Sequence, residues 1–339
     1  MSFISKKERE PPMNFEPNAK NKRSIHAKLI FNPGAGTANA SPIQLMDVIK
    51  EMQSWKIIPE AYLIEPGCDL SGTIKNALAQ GIRLFVVCGG DGTISAVARI
   101  LAGTSTTLGI IPLGTQNNIA ASLGIPANIA AAIAILRTGQ RIKMDVGMAT
   151  CGKISTPFLE FCSVGLISGL FQSADDIQHG NLARVGDFLT TLTASPPADI
   201  HLVLDNKQEI HNLGHIVLVS NIPYIGLHYQ VGAADSYKDG LLDVLFFGDL
   251  SKLDLLGYVF QGVGIETLED SRITRYHVRK LEINTRPAMP VMADGITLGE
   301  GLVRIEVRRH LQAVMVGQPV PNIFPWPGAG LEQTSNEST

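Results

Sequence analysis

Residues 84–95, LFVVCGGDGTIS, combine side chains and spacing that suit phosphate chemistry. Leu84 to Val87 form an apolar run that reads as a buried strand, and Gly89-Gly90-Asp91-Gly92-Thr93 ends it. Ile94, Val97, Ala98 and Leu101 then fall at helical spacing. A glycine-rich turn between a strand and a helix lets backbone N–H groups approach an anion, and the helix N-terminus adds its positive partial charge. Asp91 gives that turn a carboxylate able to hold a metal ion beside phosphates. Thr93 is able to cap the helix or donate to a phosphate. An ordinary strand-to-helix turn is the simpler alternative, but two adjacent glycines before Asp-Gly-Thr exceed what a cap requires.

Two further turns have the same setting. The strand Ala27 to Phe31 runs into Asn32-Pro33-Gly34-Ala35-Gly36-Thr37. The strand Leu108 to Pro112 runs into Leu113-Gly114-Thr115-Gln116-Asn117-Asn118, where Thr115 offers a hydroxyl. Positioning them requires a regular alternation of elements. Helical spacing covers 42–55, 70–80, 118–123 and 129–136, and Glu60 to Ile64 reads as one more strand. Such alternation predicts an α/β, doubly wound parallel sheet. Ligands of these sheets lie at the carboxyl ends of the strands, so all three turns belong to one edge and make a nucleotide crevice. The sequence contains no G-x-x-x-x-G-K-[ST] and no G-x-G-x-x-G opening a first helix, which argues against a P-loop NTPase and a dinucleotide dehydrogenase.

From about Asp145 the pattern changes to short strand-like segments, the signature of a β-sandwich. Residues 146–150 and 156–163 flank a hairpin turn at 151–153. Further strands are expected at 201–204, 210–211, 215–220, 241–247, 277–284, 290–293 and 303–308, with helices at 182–193 and 253–263. The 339 residues suit about two domains, and a net charge of −3 gives no global bias toward nucleic acid or anionic membrane. Cys68, Cys88, Cys151 and Cys162 have no metal-like or redox-like spacing and read as reduced thiols of a cytoplasmic protein. No apolar stretch reaches the roughly 18 residues of a membrane span, and the polar N-terminus has no secretory h-region. Residues 1–26 and 326–339 are expected to be disordered tails.

Asn32-Pro33-Gly34-Ala35-Gly36, Gly89-Gly90-Asp91-Gly92-Thr93 and Pro112-Leu113-Gly114-Thr115-Gln116-Asn117-Asn118, in this order, resemble the diacylglycerol kinase catalytic-domain family. That family includes soluble bacterial lipid kinases and the sphingosine kinases. The glycine-aspartate-glycine-threonine turn is also shared with NAD kinases and phosphofructokinases; the trio makes the likeness specific. It spans about residues 27–322. The resemblance implies an ATP-binding α/β domain at 27–144, a β-rich lipid or acceptor domain at 145–311, and a chain end at about 312–325 that returns to the first domain. Carried over, the ATP contacts are Asn32, Pro33, Gly34, Ala35 and Gly36, then Gly89, Gly90, Asp91, Gly92 and Thr93, and Thr115. Asp294, in Val291-Met292-Ala293-Asp294-Gly295, corresponds to the family's general base on the acceptor hydroxyl. Asp235, Asp239 and the Leu241 carbonyl correspond to a structural Mg2+ site, an oxygen cluster of the kind hard cations favour. The implied partners are ATP, Mg2+ and a lipid substrate met at a membrane surface. Peripheral membrane contact and a homodimer are admitted, without nucleic acid. Arg272, Arg275, Arg279 and Lys280 form a basic stretch for anionic headgroups or, more simply, a solvated strand edge.

Several positions depart from the family pattern. Its Asp-Gly-Glu reads Asp294-Gly295-Ile296, with Glu300 as a distant substitute. Ala96 replaces a common glutamate, Asn118 the usual aspartate of the third turn, and Glu160 a common asparagine. Three readings stay open: an ATP-dependent lipid kinase, a catalytically silent nucleotide- or lipid-binding regulator on the same fold, and, ranked last, a NAD-kinase-like phosphotransferase.

Overall fold

The computed structural model describes residues 23–36, 42–165, 197–225, 229–248 and 272–317. The first half alternates as β1 (Ile25–Phe31), α1 (Pro42–Ser54), β2 (Ile57–Leu63), α2 (Leu70–Ala79), β3 (Leu84–Gly89), α3 (Asp91–Leu101), β4 (Thr107–Pro112), α4 (Asn118–Ser122) and α5 (Ile129–Thr138). Its strands are parallel in the order β2-β1-β3-β4. Every residue of β3 is buried, as its unbroken apolar run demands of a strand covered on both faces. Two helices start where the sequence supplies a cap: Asp69 accepts from Gly72 N in α2, and Asn128 from Ala131 N in α5. Residues 23–26, expected to lie in a tail, are part of the fold. Ile25 and His26 pair with Ile57 and Ile58, and the Arg23 carbonyl accepts from Arg137 Nη2 at 2.8 Å.

The second half is built from β5 (Gln140–Cys151), β6 (Ile154–Phe158), β7 (Phe161–Gly165), β8 (Ala198–Leu204), β9 (Gln208–Gly214), β10 (Ile216–Ser220), β11 (Tyr224–Ile225), β12 (Tyr229–Gln230), β13 (Leu242–Phe247), β14 (Ile273–Val278), β15 (Lys280–Arg286), β16 (Pro290–Ala293), β17 (Ile296–Glu300) and β18 (Val303–Val316). One sheet has the order β14-β13-β10-β7-β16-β17. It packs on β5, β6, β8, β15 and β18 of the larger sheet. Val164, Val219 and Phe246 from one layer meet Phe158, Ile200 and Leu281 from the other in a single buried cluster, a β-sandwich.

The two halves share one sheet through β18. Its Ala313 and Val314 pair in parallel with Thr107 and Leu108 of β4, while its Val303 to Glu306 pair antiparallel with β15. Along β5 the β18 register shifts between Arg308 and Gln312. Asp145 holds that irregularity, its carboxylate accepting from His310 N at 2.7 Å and Gly240 N at 2.8 Å.

Several expected elements are corrected. The strand at 156–163 is two strands, β6 and β7, in different sheets, because the backbone at 159–161 turns to donate to the Asp294 carboxylate. The single strand at 277–284 is two strands in different sheets, because both Arg279 N and Lys280 N donate to Asp205 Oδ1 and turn the chain there. The strand at 303–308 continues to Val316, since it must pair with both halves. An additional strand, β17, follows Gly295. The helices expected at 182–193 and 253–263 lie outside the described residues.

Candidate active site

The three glycine-rich turns meet at the carboxyl ends of β1, β3 and β4, neighbours in the sheet. They touch through glycine. A Cβ on Gly114 would lie 2.6 Å from Gly90 Cα, and one on Gly36 would lie 2.5 Å from the Leu113 carbonyl oxygen. Any side chain there would force the turns apart, and Gly36 also has φ of +79°. Polar side chains lock the same geometry. Asn32 Nδ2 donates to Thr93 Oγ1 at 2.8 Å, and Asn32 Oδ1 accepts from Gly34 N at 3.0 Å. Asn117, in the left-handed region, accepts from Gly114 N and donates to Gly114 O, both at 2.8 Å. Gly92 and Thr115 stand exposed, and Ala35 is buried inside its turn. No atom lies within 4 Å of a Cβ placed on Gly92, so this backbone faces open space.

Helix α3 carries the site from the glycine-rich turns to the carboxylates. Its N-cap is Gly90, without a side-chain cap, so Thr93 does not cap it but binds Asn32. Asp91, Ser95 and Arg99 recur at the four-residue spacing of one helical face. The Asp91 carboxylate accepts from Asn118 N and Ile119 N, both at 3.0 Å, and so caps α4 from outside it. This changes the expectation for Asp91: its first partners are backbone donors.

Asp294 faces the same helix. It forms, with Gly295, the two-residue turn between β16 and β17, both residues at positive φ as a tight hairpin requires. Its carboxylate accepts from Leu159 N at 2.7 Å, Phe161 N at 3.0 Å and Glu160 N at 3.1 Å. Burial pushes its pKa up despite these hydrogen bonds. Ser95 Oγ lies near enough to favour the carboxylate slightly, yet outside hydrogen-bond geometry.

Glu160 completes the cluster. It is buried, and Asn118 Nδ2 donates to its Oε1 at 3.0 Å. Burial, then the nearby Asp91 and Asp294 charges, raise its pKa well above the ordinary carboxylate value. Two of the positions that depart from the family pattern, Asn118 and Glu160, are therefore hydrogen-bonded to each other. The acid expected at one stands at the other, across a single contact. Glu300 is not a substitute. It pairs with Pro290 at the opposite end of the β16–β17 hairpin from Asp294.

Comparison with known proteins agrees with this architecture. Residues 26–149 match the diacylglycerol kinase catalytic domain, and residues 171–316 match the YegS C-terminal NAD kinase beta sandwich-like domain. A diacylglycerol kinase of Mycobacterium tuberculosis is 30% identical over 234 residues, covering 67% of this chain and 74% of that protein. The chain belongs to the diacylglycerol kinase family. Another member, the diacylglycerol kinase of Bacillus subtilis, is 22% identical over 299 residues, covering 85% of this chain and 96% of its own. The solved structure of a putative diacylglycerol kinase from Bacillus anthracis shares the fold, with a TM-score of 0.69 at 22% identity. It covers 88% of this chain and 100% of the other.

Not every residue carried over from the family gathers into a site. Asp239 Oδ1 accepts from Leu241 N at 2.8 Å, and Asp235 is exposed beside Lys238 at 3.9 Å. Burial raises the Asp239 pKa, with Asp243, Asp235 and Asp145 adding to it. Among the described residues neither aspartate belongs to a group of three ligand side chains whose donor atoms lie within 4.8 Å of one another. The basic stretch is divided as well. Arg275 is half-buried and donates to the Val231 carbonyl at 3.2 Å, whereas Arg272, Arg279 and Lys280 are exposed. Strand β14 lies at the opposite edge of its sheet from β16 and β17, not beside Asp294. No helix among the described residues is long and apolar enough to cross a membrane.

Proposed function

We propose that this protein is an ATP-dependent lipid kinase that phosphorylates a hydroxyl of a diacylglycerol-like or sphingoid lipid. The observation that carries this reading is the double use of α3. Its glycine-rich N-terminus forms the anion cradle, and its next turns face Asp294 and Glu160. A phosphate held at Gly90 to Thr93 therefore presents its far end toward the carboxylates. Asn32, Gly34, Gly36 and Thr115 complete the nucleotide contacts in this reading. Asp294 is the general base, and desolvation moves its pKa in the direction that strengthens a carboxylate base. It takes the proton of the acceptor hydroxyl, whose oxygen attacks the γ-phosphorus as ADP departs.

The donor set suits magnesium. Asp91, Glu160 and Asp294 are hard oxygen donors in one mutually repelling cluster, and the Asn118 Oδ1 beside them is buried without a hydrogen-bond partner among the described residues. Asp91 and Glu160 are the groups that would hold the ion, which when bound neutralises charge on the phosphates. The residue ranges 27–144 and 312–325 form the nucleotide part in this reading and 145–311 the acceptor part. Contact with the membrane is peripheral.

Transfer of label from γ-labelled ATP to vesicles containing diacylglycerol, a sphingoid base or another lipid alcohol tests the proposal. A labelled phospholipid is expected. Absence of transfer to every lipid by folded, ATP-binding protein would leave the second reading, a silent nucleotide-binding regulator. That reading has its own support: both Asp294 oxygens already accept backbone hydrogen bonds.

A further inference from the structure

Strands β8 and β9 form the outer hairpin of the large sheet, at the end opposite β2. Their register sets His201 directly across from His211, with Glu209 two residues before His211 on the same face. The imidazole rings stack with centroids 3.9 Å apart and planes 11° from parallel. Glu209 Oε2 lies 3.3 Å from His201 Nε2 and 4.0 Å from His211 Nε2. His201 Nε2 is itself buried and has no hydrogen-bond partner among the described residues, because the carboxylate approaches it off the line a hydrogen bond needs. One donor atom from each of the three side chains falls within a 4.8 Å group, the one such group among the described residues.

We propose that His201, Glu209 and His211 bind a zinc-class divalent cation that ties β9 to β8. Two imidazole nitrogens and one carboxylate oxygen are a known zinc donor set, with metal–ligand distances of about 2.0–2.2 Å. A tetrahedron of that size separates its ligands by about 3.3–3.5 Å. The His201–Glu209 separation of 3.3 Å already meets this, and the exposed His211 ring, now stacked parallel on His201, turns out of the stack to aim its Nε2 lone pair at the same ion. The cation also gives the buried Nε2 the partner it lacks. The ligands come from one hairpin with a short turn at Asp205 and Asn206, both at positive φ, so little chain must be ordered to assemble the site. Water takes the fourth position, because the hairpin is the sheet's edge and two ligands are exposed. Sheet order separates this hairpin from the phosphate turns, so its occupancy is independent of phosphoryl transfer.

The test uses the full chain after chelator treatment. Co2+ is titrated with detection by visible absorption, then displaced by Zn2+. One equivalent should bind, giving a tetrahedral cobalt spectrum without thiolate charge-transfer absorption, and Zn2+ should raise the unfolding temperature. His211→Ala and His201→Gln should each weaken binding at least about tenfold and remove the thermal shift, with ATP binding unchanged. His211 is exposed, so its variant reports even if the one at His201 fails to fold. Absence of binding at micromolar Zn2+, binding that persists in His211→Ala, or a thiolate spectrum that disappears in Cys68→Ser would each overturn the site.

Discussion

The glycine cradle and the carboxylate cluster share α3, yet they are made in different ways. The cradle is backbone: glycines of three turns in contact, locked by Asn32 and Asn117. The cluster is side chains from four separate places, namely Asp91 on α3, Asn118 on α4, Glu160 between β6 and β7, and Asp294 between β16 and β17. A backbone site tolerates change around it and fails when a Cβ enters it. A buried side-chain cluster tolerates little exchange of charge, because each buried carboxylate depends on the donors around it.

Exchanging Asp294 for Asn breaks the comparison most sharply. On the proposed mechanism Asp294→Asn lowers turnover by about 10²–10⁴-fold, the usual worth of a general base. Nucleotide affinity stays within a few-fold, because the cradle lies on the other side. One amide N–H must now face the donors Leu159 N or Phe161 N, so a lower unfolding temperature accompanies the loss. Single-turnover transfer and direct ATP binding, measured on the same sample, separate the two effects. Full turnover would remove Asp294 from catalysis and leave it as the staple of the β6–β7 connection.

The converse change enters the cradle. Gly114→Ala puts a methyl group 2.6 Å from Gly90 Cα and 2.9 Å from Asn117 Oδ1. Overpacking of this kind costs about 1–3 kcal/mol, which corresponds to about 5- to 150-fold in ATP affinity if the turns separate. Gly92→Ala is the sharper control. Its Cβ meets nothing within 4 Å, so the empty protein is undisturbed and any loss of affinity measures how closely phosphate approaches that backbone. Calorimetric titration with ATP compares the two variants, and equal affinity in both would move the nucleotide elsewhere.

This contrast also explains what the sequence made legible. Strand, glycine turn and helix are contiguous, so the cradle at 32–36, 89–93 and 113–118 shows itself in local pattern. So do the parallel order and the sandwich, since both follow from periodicity. The cluster depends on contacts between residues 160 and 118, and between 294 and 159–161, which no local spacing encodes. Glu160 is visible in the sequence only as a departure from a family pattern, and its hydrogen bond to Asn118 is visible only in the fold. The capping of α4 by Asp91 was hidden for the same reason, with 27 residues between the partners. The sequence runs β14 into β15 without a break, because Asp205, the residue that separates them, lies far away along the chain.

Glu160→Gln sharpens the comparison through pH. Glu160 has its folded-state pKa raised, so the folded protein holds that proton to higher pH than the unfolded chain. Stability from this group is complete below the unfolded value of about 4.3 and is lost as pH rises toward the folded one. The slope is at most about 1.4 kcal/mol per pH unit. Asp294 is shifted in the same direction and is common to both proteins, so their difference reports Glu160 together with its charge coupling to Asp91 and Asp294. Glu160→Gln, which keeps the shape and cannot ionise, should gain stability relative to the parent as pH rises from 4.5 toward neutrality (roughly, from the same reference value). Denaturant midpoints across that interval should diverge; parallel curves would mean that Glu160 ionises normally. Added Mg-ATP should narrow the gap, because a cation in the cluster stabilises the ionised parent.

The smallest effect is expected at Thr93, where the cradle uses a side chain. Thr93 Oγ1 accepts from Asn32 Nδ2 at 2.8 Å and retains its own proton for another acceptor. Thr93→Val keeps the branched shape but removes both functions. The lost internal hydrogen bond costs about 1 kcal/mol of stability, because Asn32 is only part-buried and its amide reaches water. If the hydroxyl proton also goes to a phosphate oxygen, ATP affinity falls by about tenfold or more, since hydrogen bonds to charged groups are worth about 1.5–3 kcal/mol. Thr93→Ser separates the two contributions, because it restores the hydroxyl without the methyl group. Recovery of ATP affinity in Thr93→Ser but not in Thr93→Val would place the hydroxyl on the ligand. Equal affinity in all three would confine Thr93 to joining the first two turns, leaving phosphate recognition entirely to backbone N–H groups.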